Sequence, residues 1–70
     1  MKIGAELKAQ REKAGYSQFQ LSKLTGIAQA TISRWEDDKR VPNVESCVIL
    51  ADFYGITLDE LIGREIKKNW

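Results

Sequence analysis

The sequence predicts an all-α fold, a compact five-helix bundle, from three observations. Nowhere do apolar residues alternate with polar ones over a useful length, which is the pattern of a half-buried strand. Apolar residues recur at helical spacing instead, and a glycine follows four of these segments. Seventy residues with 43% hydrophobic content are enough for one modest core. We therefore expect one domain over residues 1–63, followed by a short C-terminal tail at 64–70.

The first predicted helix runs from about Ile3 to Ala14 and ends at Gly15, where a left-handed stop is favourable. Its core-facing stripe contains Ile3, Leu7 and Ala14, but also Arg11. A charge in this position is costly unless it is paired. Arg11 therefore finds a carboxylate elsewhere in the fold, or its stem lies along the core while its head reaches water.

The second predicted helix has a well-specified start. Ser17 is suited to the N-cap, and Gln20 three residues later completes a capping box. Leu21 and Leu24 are expected to face inward, and Gly26 makes the turn to the next helix.

The third predicted helix runs from about Gln29 to Asp37. Apolar spacing of i, i+4 and i+7 predicts its buried stripe, which consists of Ala28, Ile32 and Trp35. The opposite face is left with Gln29, Ala30, Ser33 and Arg34. The second and third helices together predict a helix-turn-helix, which holds one helix against DNA phosphates while the next enters the major groove.

Two further helices follow the joint that contains Pro42. Asn43 is suited to cap the fourth, which extends through Tyr54 and is expected to be the central core helix. Its broad apolar face consists of Val44, Cys47, Val48, Ala51 and Tyr54, with Leu50 and Phe53 beside them. Thr57 caps the fifth helix with Glu60 as its capping-box partner, and Gly63 ends it.

The composition argues against an enzyme. The chain has no histidine and a single cysteine, Cys47, and it lacks a glycine-rich phosphate loop. We therefore predict no catalytic residues, no metal site, no cofactor and no small-molecule ligand. The N-terminus has no signal-peptide core, and no run approaches the roughly 18 apolar residues of a membrane span. A cytoplasmic protein without a membrane partner is expected.

The ordered set of features resembles the phage-repressor and Cro type of helix-turn-helix regulators, the XRE family. The resemblance covers Ile3 to Gly63. It rests on Leu7, Arg11 and Gly15, on SQFQLSKLTGIAQATISRWE at 17–36, on Pro42, on LADFYGITLDEL at 50–61, and on Ile62 and Gly63. It implies a fold of the phage-repressor DNA-binding domain type, in which the third helix is the recognition helix.

The resemblance also implies roles for single residues. Gln18 matches a glutamine that contacts the sugar-phosphate backbone and braces the recognition helix. Gln29 matches a glutamine that reads a base, and Ala30 and Arg34 fall at the other principal base-reading positions. Thr31 and Ser33 occupy flanking positions. Arg11 and Glu36 match a buried ion pair of some members, which would supply the partner that Arg11 needs.

The chemistry of these side chains is consistent with those roles. In the major groove, glutamine can bracket adenine, arginine can bracket guanine, and alanine can touch the thymine methyl group. Phosphate contacts are expected at the amide end of the second helix and in the joint after the third. The candidates are Ser17, Gln18, Lys39, Arg40, Asn43 and Lys23. For Lys39 and Arg40 the alternative is a solvated pair of loop charges, because two aspartates precede them.

Two features depart from the family pattern. Ala28 stands where a serine or threonine often caps the recognition helix, so we expect that cap to be missing. Asp37 and Asp38 place negative charge just beyond the reading residues. These two carboxylates either repel phosphates and so shape specificity, or point away.

The function predicted from the sequence is sequence-specific binding of double-stranded DNA by a transcriptional regulator, a repressor. A homodimer on a palindromic operator is expected, with contacts through the fifth helix and the tail, where Ile66 and Trp70 are apolar. The formal net charge of +1 supports this only weakly, although residues 1–40 carry the basic excess. The alternative is an antitoxin-like or adaptor module whose main partner is a protein.

Overall fold

A computed structural model describes residues 2–63 of the chain. Within these residues there is no strand, and the chain forms five helices in sequence. They are α1 (Gly4–Lys13), α2 (Gln18–Thr25), α3 (Gln29–Glu36), α4 (Val44–Tyr54) and α5 (Leu58–Ile62). The predicted all-α, five-helix fold is confirmed. The predicted tail, including Ile66 and Trp70, lies outside the described residues.

Side-chain caps fix the start of α2 and α5 as predicted. The Ser17 hydroxyl accepts the Gln20 amide N–H at 3.0 Å, and the Gln20 side chain accepts the Ser17 N–H at 2.9 Å. Thr57 and Glu60 repeat this reciprocal box at the start of α5, with both distances at 3.1 Å. These contacts satisfy amides that have no partner inside the helix, so the local sequence sets the boundary.

The core lies where α3 packs against α1 and α2, and where α4 and α5 close the bundle. Its buried apolar residues come from all five helices and from the residue before α1. They are Ile3, Leu7, Leu21, Ile32, Trp35, Leu50, Ala51 and Leu61. Because no helix contributes more than two of them, no helix can keep its apolar face covered without the others.

Leu24 and Ala28 were predicted to face inward, and both predictions are wrong. Leu24 is 58% exposed, because Thr25 takes the inward position next to Leu21 and donates its hydroxyl to the Leu21 carbonyl at 2.7 Å. Ala28 is exposed because it precedes α3 as the N-cap residue, with extended backbone at φ −60° and ψ 137°. Helical spacing does not apply to a residue outside the helix. Ala14, the C-cap residue of α1, is exposed as well, so this part of the predicted inward stripe is also wrong.

The predicted inward face of α4 is correct except at two valines. Leu50 and Ala51 are its buried residues, whereas Val44 is 74% exposed and Val48 is 39% exposed. Val44 is the first residue of α4, so its side chain lies beyond the end of the core. Cys47 packs against the core, and burial raises the pKa of its thiol, consistent with a small hydrophobic side chain.

A buried ion pair joins α1 to the end of α3. Arg11 Nε donates to Glu36 Oε2 at 2.8 Å and Arg11 Nη2 donates to Glu36 Oε1 at 2.9 Å, while Nη1 donates to the Tyr16 carbonyl at 2.8 Å. The two side chains are only 11% and 4% exposed. The alternative of a guanidinium head in water therefore does not hold. The Gln18 side chain adds a third contact and donates to Glu36 Oε1 at 3.1 Å.

These contacts stabilise the charged form of both partners. The hydrogen bond with Glu36 raises the pKa of Arg11 above its ordinary value. Burial acts to raise the pKa of Glu36, but hydrogen bonds from Arg11 and Gln18 outweigh it, and the net pKa is lowered. Glu36 is therefore ionised at neutral pH and carries the charge that Arg11 requires.

Replacing Glu36 by alanine should lower the free energy of unfolding by about 3 to 5 kcal/mol, because it leaves the Arg11 charge buried without a partner. Urea denaturation followed by circular dichroism measures this change. Asp52→Ala removes an exposed carboxylate on α4 and serves as the matched control, with an expected change within about 0.5 kcal/mol. Equal stability of Glu36→Ala and the wild type would contradict a structural role for the pair.

Acidification should remove part of the same stabilisation. A carboxylate whose folded pKa is lowered stabilises the fold fully above its ordinary pKa of 4.5, and this contribution is lost as the pH falls through the lower folded pKa. We expect the wild type to lose more unfolding free energy between pH 6 and pH 3 than Glu36→Gln, which has no group to titrate there. Identical pH profiles for the two proteins would show that Glu36 is not coupled to folding.

Candidate nucleic-acid interface

A tight turn sets the angle between α2 and α3. Gly26 ends α2 in the left-handed region at φ 78°, which favours glycine, and its N–H donates to the Ser22 carbonyl at 2.9 Å. Ile27 then donates its N–H to the Thr25 hydroxyl at 3.3 Å, and its side chain packs against the core. The chain therefore passes from α2 to α3 over three residues that are held in place.

The helix after this turn has one buried face and one open face. Ile32 is 2% exposed and Trp35 is 6% exposed, so both are anchored in the core. Gln29, Ala30 and Arg34 are exposed on the other side, and Thr31 and Ser33 are half-buried beside them. We call these five residues the reading face. Its members are the residues that the sequence predicted to read bases, and the structure places them together on one surface.

No side chain caps the start of α3, as expected from Ala28. The Ala28 carbonyl accepts the N–H groups of Thr31 at 3.0 Å and Ile32 at 3.1 Å, but its methyl group offers no acceptor to the first amides. The position of α3 therefore depends on the anchors Ile32 and Trp35 and on the Glu36 contacts at its other end.

A polar groove lies between α3 and the start of α4. It is lined by Thr31, Arg34, Trp35, Arg40, Val41, Asn43 and Ser46. The groove brings Arg34 of the reading face together with Arg40 and Asn43, two predicted phosphate ligands. Asn43 uses its side-chain oxygen to cap α4 through the Ser46 N–H at 2.8 Å, and its NH₂ group remains as a donor. Lys39 is exposed but does not line the groove.

Ser46 is a member of this groove that the sequence-based prediction missed. The signal for it was present, because the N-cap Asn43 implies that the third helical residue lies in the first turn of α4, close to the capped end. A hydroxyl in this place can donate to a phosphate oxygen.

The remaining predicted phosphate ligands lie on α2. Ser17 and Gln18 stand at its amino end, where Gln18 also braces α3 through Glu36. Lys23 lies on the outer face of α2, and its ammonium group is 5.4 Å from the centroid of the Phe19 ring. Phe19 and Leu24 are exposed on the same face, which is separate from the polar groove.

The two aspartates after α3 differ in their surroundings. Both are exposed, and Asp37 stands at the helix end as its C-cap residue. The carboxylate of Asp38, in contrast, accepts the Gly4 N–H at 2.9 Å and so contacts the beginning of α1. Of the two alternatives for Asp38, the structure favours a carboxylate engaged away from the reading face.

Comparisons with known proteins agree with this geometry. The family profile described as helix-turn-helix matches residues 7–61. The transcriptional regulator ImmR of Bacillus subtilis is 34% identical over 71 residues, covering 99% of this chain and 56% of ImmR. The phage CTXphi transcriptional repressor RstR of Vibrio cholerae is 34% identical over 64 residues, covering 91% of this chain and 57% of RstR. The chain thus spans a little over half the length of these relatives.

A solved structure shows the same fold. A transcriptional regulator from Listeria innocua superposes with a TM-score of 0.79, at 20% sequence identity, covering 97% of this chain and 63% of that one. The profile match, which extends from α1 to α5, includes the turn at Gly26 and the whole reading face. The chain therefore belongs to the helix-turn-helix family of the phage-repressor and Cro type.

Proposed function

We propose that this protein binds double-stranded DNA sequence-specifically and represses transcription, with α3 in the major groove. One observation carries the proposal. The helix after the turn exposes Gln29, Ala30 and Arg34, while Ile32 and Trp35 on its other side are fixed in the core. A rigid helix with a polar open face next to a tight turn is the geometry that reads bases in this class of protein.

Three residues of the reading face each suit a particular base. The Arg34 guanidinium can donate two hydrogen bonds to the N7 and O6 atoms of guanine, and the Gln29 amide can pair with N6 and N7 of adenine. The Ala30 methyl group fits against a thymine methyl. Thr31 and Ser33 flank these contacts and can donate to base edges or to phosphates.

Phosphate contacts are proposed on both sides of the reading face. Arg40, Asn43 and Ser46 share the polar groove with Arg34, so a backbone that follows the groove would meet all three. Lys39 is exposed in the same joint. On the other side, Ser17 and Gln18 present the amino end of α2, where the helix dipole favours an anion. Lys23, on the outer face of α2, is a further proposed phosphate contact.

We further propose that the protein is cytoplasmic and binds a palindromic operator as a homodimer. The repressor name of the Vibrio cholerae relative supports the proposed repression. An apolar groove between α4 and α5 supports the dimer. It is lined by Ile3, Val41, Pro42, Val44, Cys47, Leu58 and Ile62. Val44 is 74% exposed and Leu58 is 41% exposed, so a second copy seated here would cover apolar surface. The predicted dimer contacts at Ile66 and Trp70 lie outside the described residues.

Selection of bound sites from random duplexes tests the proposed function directly. We expect enrichment of a symmetric motif whose half-sites are about one helical turn apart, because a two-fold dimer presents two copies of α3. Failure to enrich any duplex, together with a protein that co-purifies stoichiometrically from cells, would favour the adaptor alternative instead.

Arg34→Ala and Arg40→Ala should have different effects on binding to the selected duplex. Arg34→Ala should weaken binding by about 1 to 3 kcal/mol and relax the preference at one base pair, because it removes a base contact. Arg40→Ala should weaken binding to cognate and scrambled duplexes alike and reduce the slope of log K against log salt by about 1, because it removes a phosphate contact. Fluorescence anisotropy at several salt concentrations distinguishes the two. Identical behaviour of both variants would contradict the assignment.

A charge in the apolar groove should prevent dimerisation. Val44→Asp places a carboxylate at the first position of α4, where it suits the helix dipole, so the fold is retained while the apolar contact is lost. Sedimentation velocity should show a monomer, and binding to the palindrome should weaken while binding to a single half-site is unchanged. The matched control is Leu24→Asp on α2, which is similarly exposed and should remain dimeric. Equal association of both variants would place the dimer contact elsewhere.

A further inference from the structure

The turn that follows α3 contains a left-handed backbone conformation that residues other than glycine adopt uncommonly. We call residues 37–40 the exit turn. Asp38 lies in the left-handed region at φ 59°, and it is the only non-glycine residue with positive φ among residues 2–63. Its N–H donates to the Trp35 carbonyl at 3.1 Å, and the Lys39 N–H donates to the Arg34 carbonyl at 2.9 Å. This pair of bonds is the Schellman ending of a helix, in which glycine normally takes the position of Asp38.

The side chain of Asp38 makes a contact that a glycine could not provide. Its Oδ1 atom accepts the N–H of Gly4, 34 residues away, at 2.9 Å. Gly4 is the first residue of α1, where an amide has no partner inside the helix and a carboxylate suits the helix dipole. The start of α1 lies close to the end of α3 here. A Cβ atom on Gly4 would lie only 2.7 Å from the Trp35 carbonyl oxygen.

The exit turn also carries two proposed phosphate ligands, Lys39 and Arg40. The N–H groups of both donate to the carbonyl of Arg34, at 2.9 Å and 3.4 Å. The same carbonyl belongs to the residue proposed to read guanine. The placement of the two cations relative to the reading face is therefore set by the conformation of the exit turn.

We propose that Asp38 is a positioning residue for DNA binding. Its carboxylate ties the exit turn to α1 and thereby holds Lys39 and Arg40 beside the reading face. The carboxylate does not itself contact DNA. This inference rests on the proposed function for its DNA readout, but the tie between the exit turn and α1 is a property of the free protein.

A positioning role for Asp38 and simple electrostatics predict opposite changes in DNA affinity when the carboxylate is removed. A carboxylate next to phosphate ligands repels DNA, so its removal should strengthen binding if charge alone matters. If the carboxylate positions the turn, its removal should weaken binding because Lys39 and Arg40 lose their fixed placement. The direction of the change in affinity therefore separates the two accounts.

Three variants make this comparison. Asp38→Gly introduces a residue that adopts the left-handed conformation without strain but removes the carboxylate, and Asp38→Asn removes the charge but keeps a side-chain oxygen and a tolerance for this backbone. Asp37→Asn removes the same charge from the neighbouring residue, which is exposed like Asp38, and is the matched control. All three should remain folded by circular dichroism at the temperature of the assay.

Binding to the duplex selected by the wild type is then measured at several salt concentrations. We expect Asp38→Gly to bind about tenfold more weakly, with the salt slope reduced by about 1, as for a lost phosphate contact. Asp38→Asn and Asp37→Asn should bind as tightly as the wild type or more tightly, with the slope retained. Asp38→Gly binding as tightly as Asp37→Asn would overturn the proposal.

NMR relaxation of the free protein gives a readout that does not depend on DNA. Backbone order parameters of residues 38–40 should fall from about 0.85 to below about 0.6 in Asp38→Gly and remain high in Asp38→Asn. The Gly4 amide should lose its protection from exchange only in the glycine variant. An exit turn that stays rigid in Asp38→Gly would overturn the positioning role even if no duplex were ever selected. Suppose the exit turn is rigid in the wild type and loosens in Asp38→Gly, but the protein binds no DNA. This result would count against the proposed function alone.

Discussion

The orientation of α3 depends on one buried carboxylate at its carboxyl end. Glu36 accepts two hydrogen bonds from Arg11 on α1 and one from Gln18 on α2, so a single side chain links the three helices that form and support the motif. Removing either charge from water is unfavourable. The bidentate geometry compensates for it, together with the hydrogen bonds from Arg11 to the Tyr16 carbonyl and from Gln18 to Glu36. A rotation of α3 about its axis would separate Glu36 from Arg11. It would also turn the reading face away from its position next to α2. The ion pair and the reading face therefore share one favourable orientation of α3.

This constraint matters because α3 has little stability of its own. It is eight residues long, has no side-chain cap at its start, and is too short to persist in water as an isolated helix. Ile32 and Trp35 fix its middle in the core, Glu36 fixes its end, and the Asp38 contact with α1 fixes the turn that follows. The residues that hold α3 are thus different from those on its open face. The open face is free to differ between members of a family without loss of the fold.

The elements that the sequence predicted well are those set by neighbouring residues. The capping boxes at Ser17 and Thr57 are local chemistry, and the structure has both. Leu24 and Val44 were misplaced because the inward direction at a helix end depends on what lies beyond it, which helical spacing does not encode. Arg11 could be identified as needing a partner, but Glu36 followed only from the family resemblance. The Asp38 contact was not predictable, because it joins residues 34 positions apart through a backbone conformation that the residue type disfavours. The reading face is placed as predicted, while its contacts with DNA stay predictions.

The low net charge of +1 does not describe the charge near the reading face, which depends on where the charged side chains lie. Arg11 and Glu36 neutralise each other inside the fold and leave this sum unchanged, while the Asp38 carboxylate accepts the amide N–H of Gly4 at the start of α1. Arg34, Lys39 and Arg40 are all exposed near the reading face, and so are Asp37 and Asp38, whose negative charges partly offset theirs. In the proposed complex with DNA, this small excess of cations would give weak sequence-independent affinity, because that term grows with the number of phosphates neutralised. Base contacts and the second protomer of the proposed dimer would then supply most of the binding free energy, which favours discrimination between sites over tight binding to DNA in general.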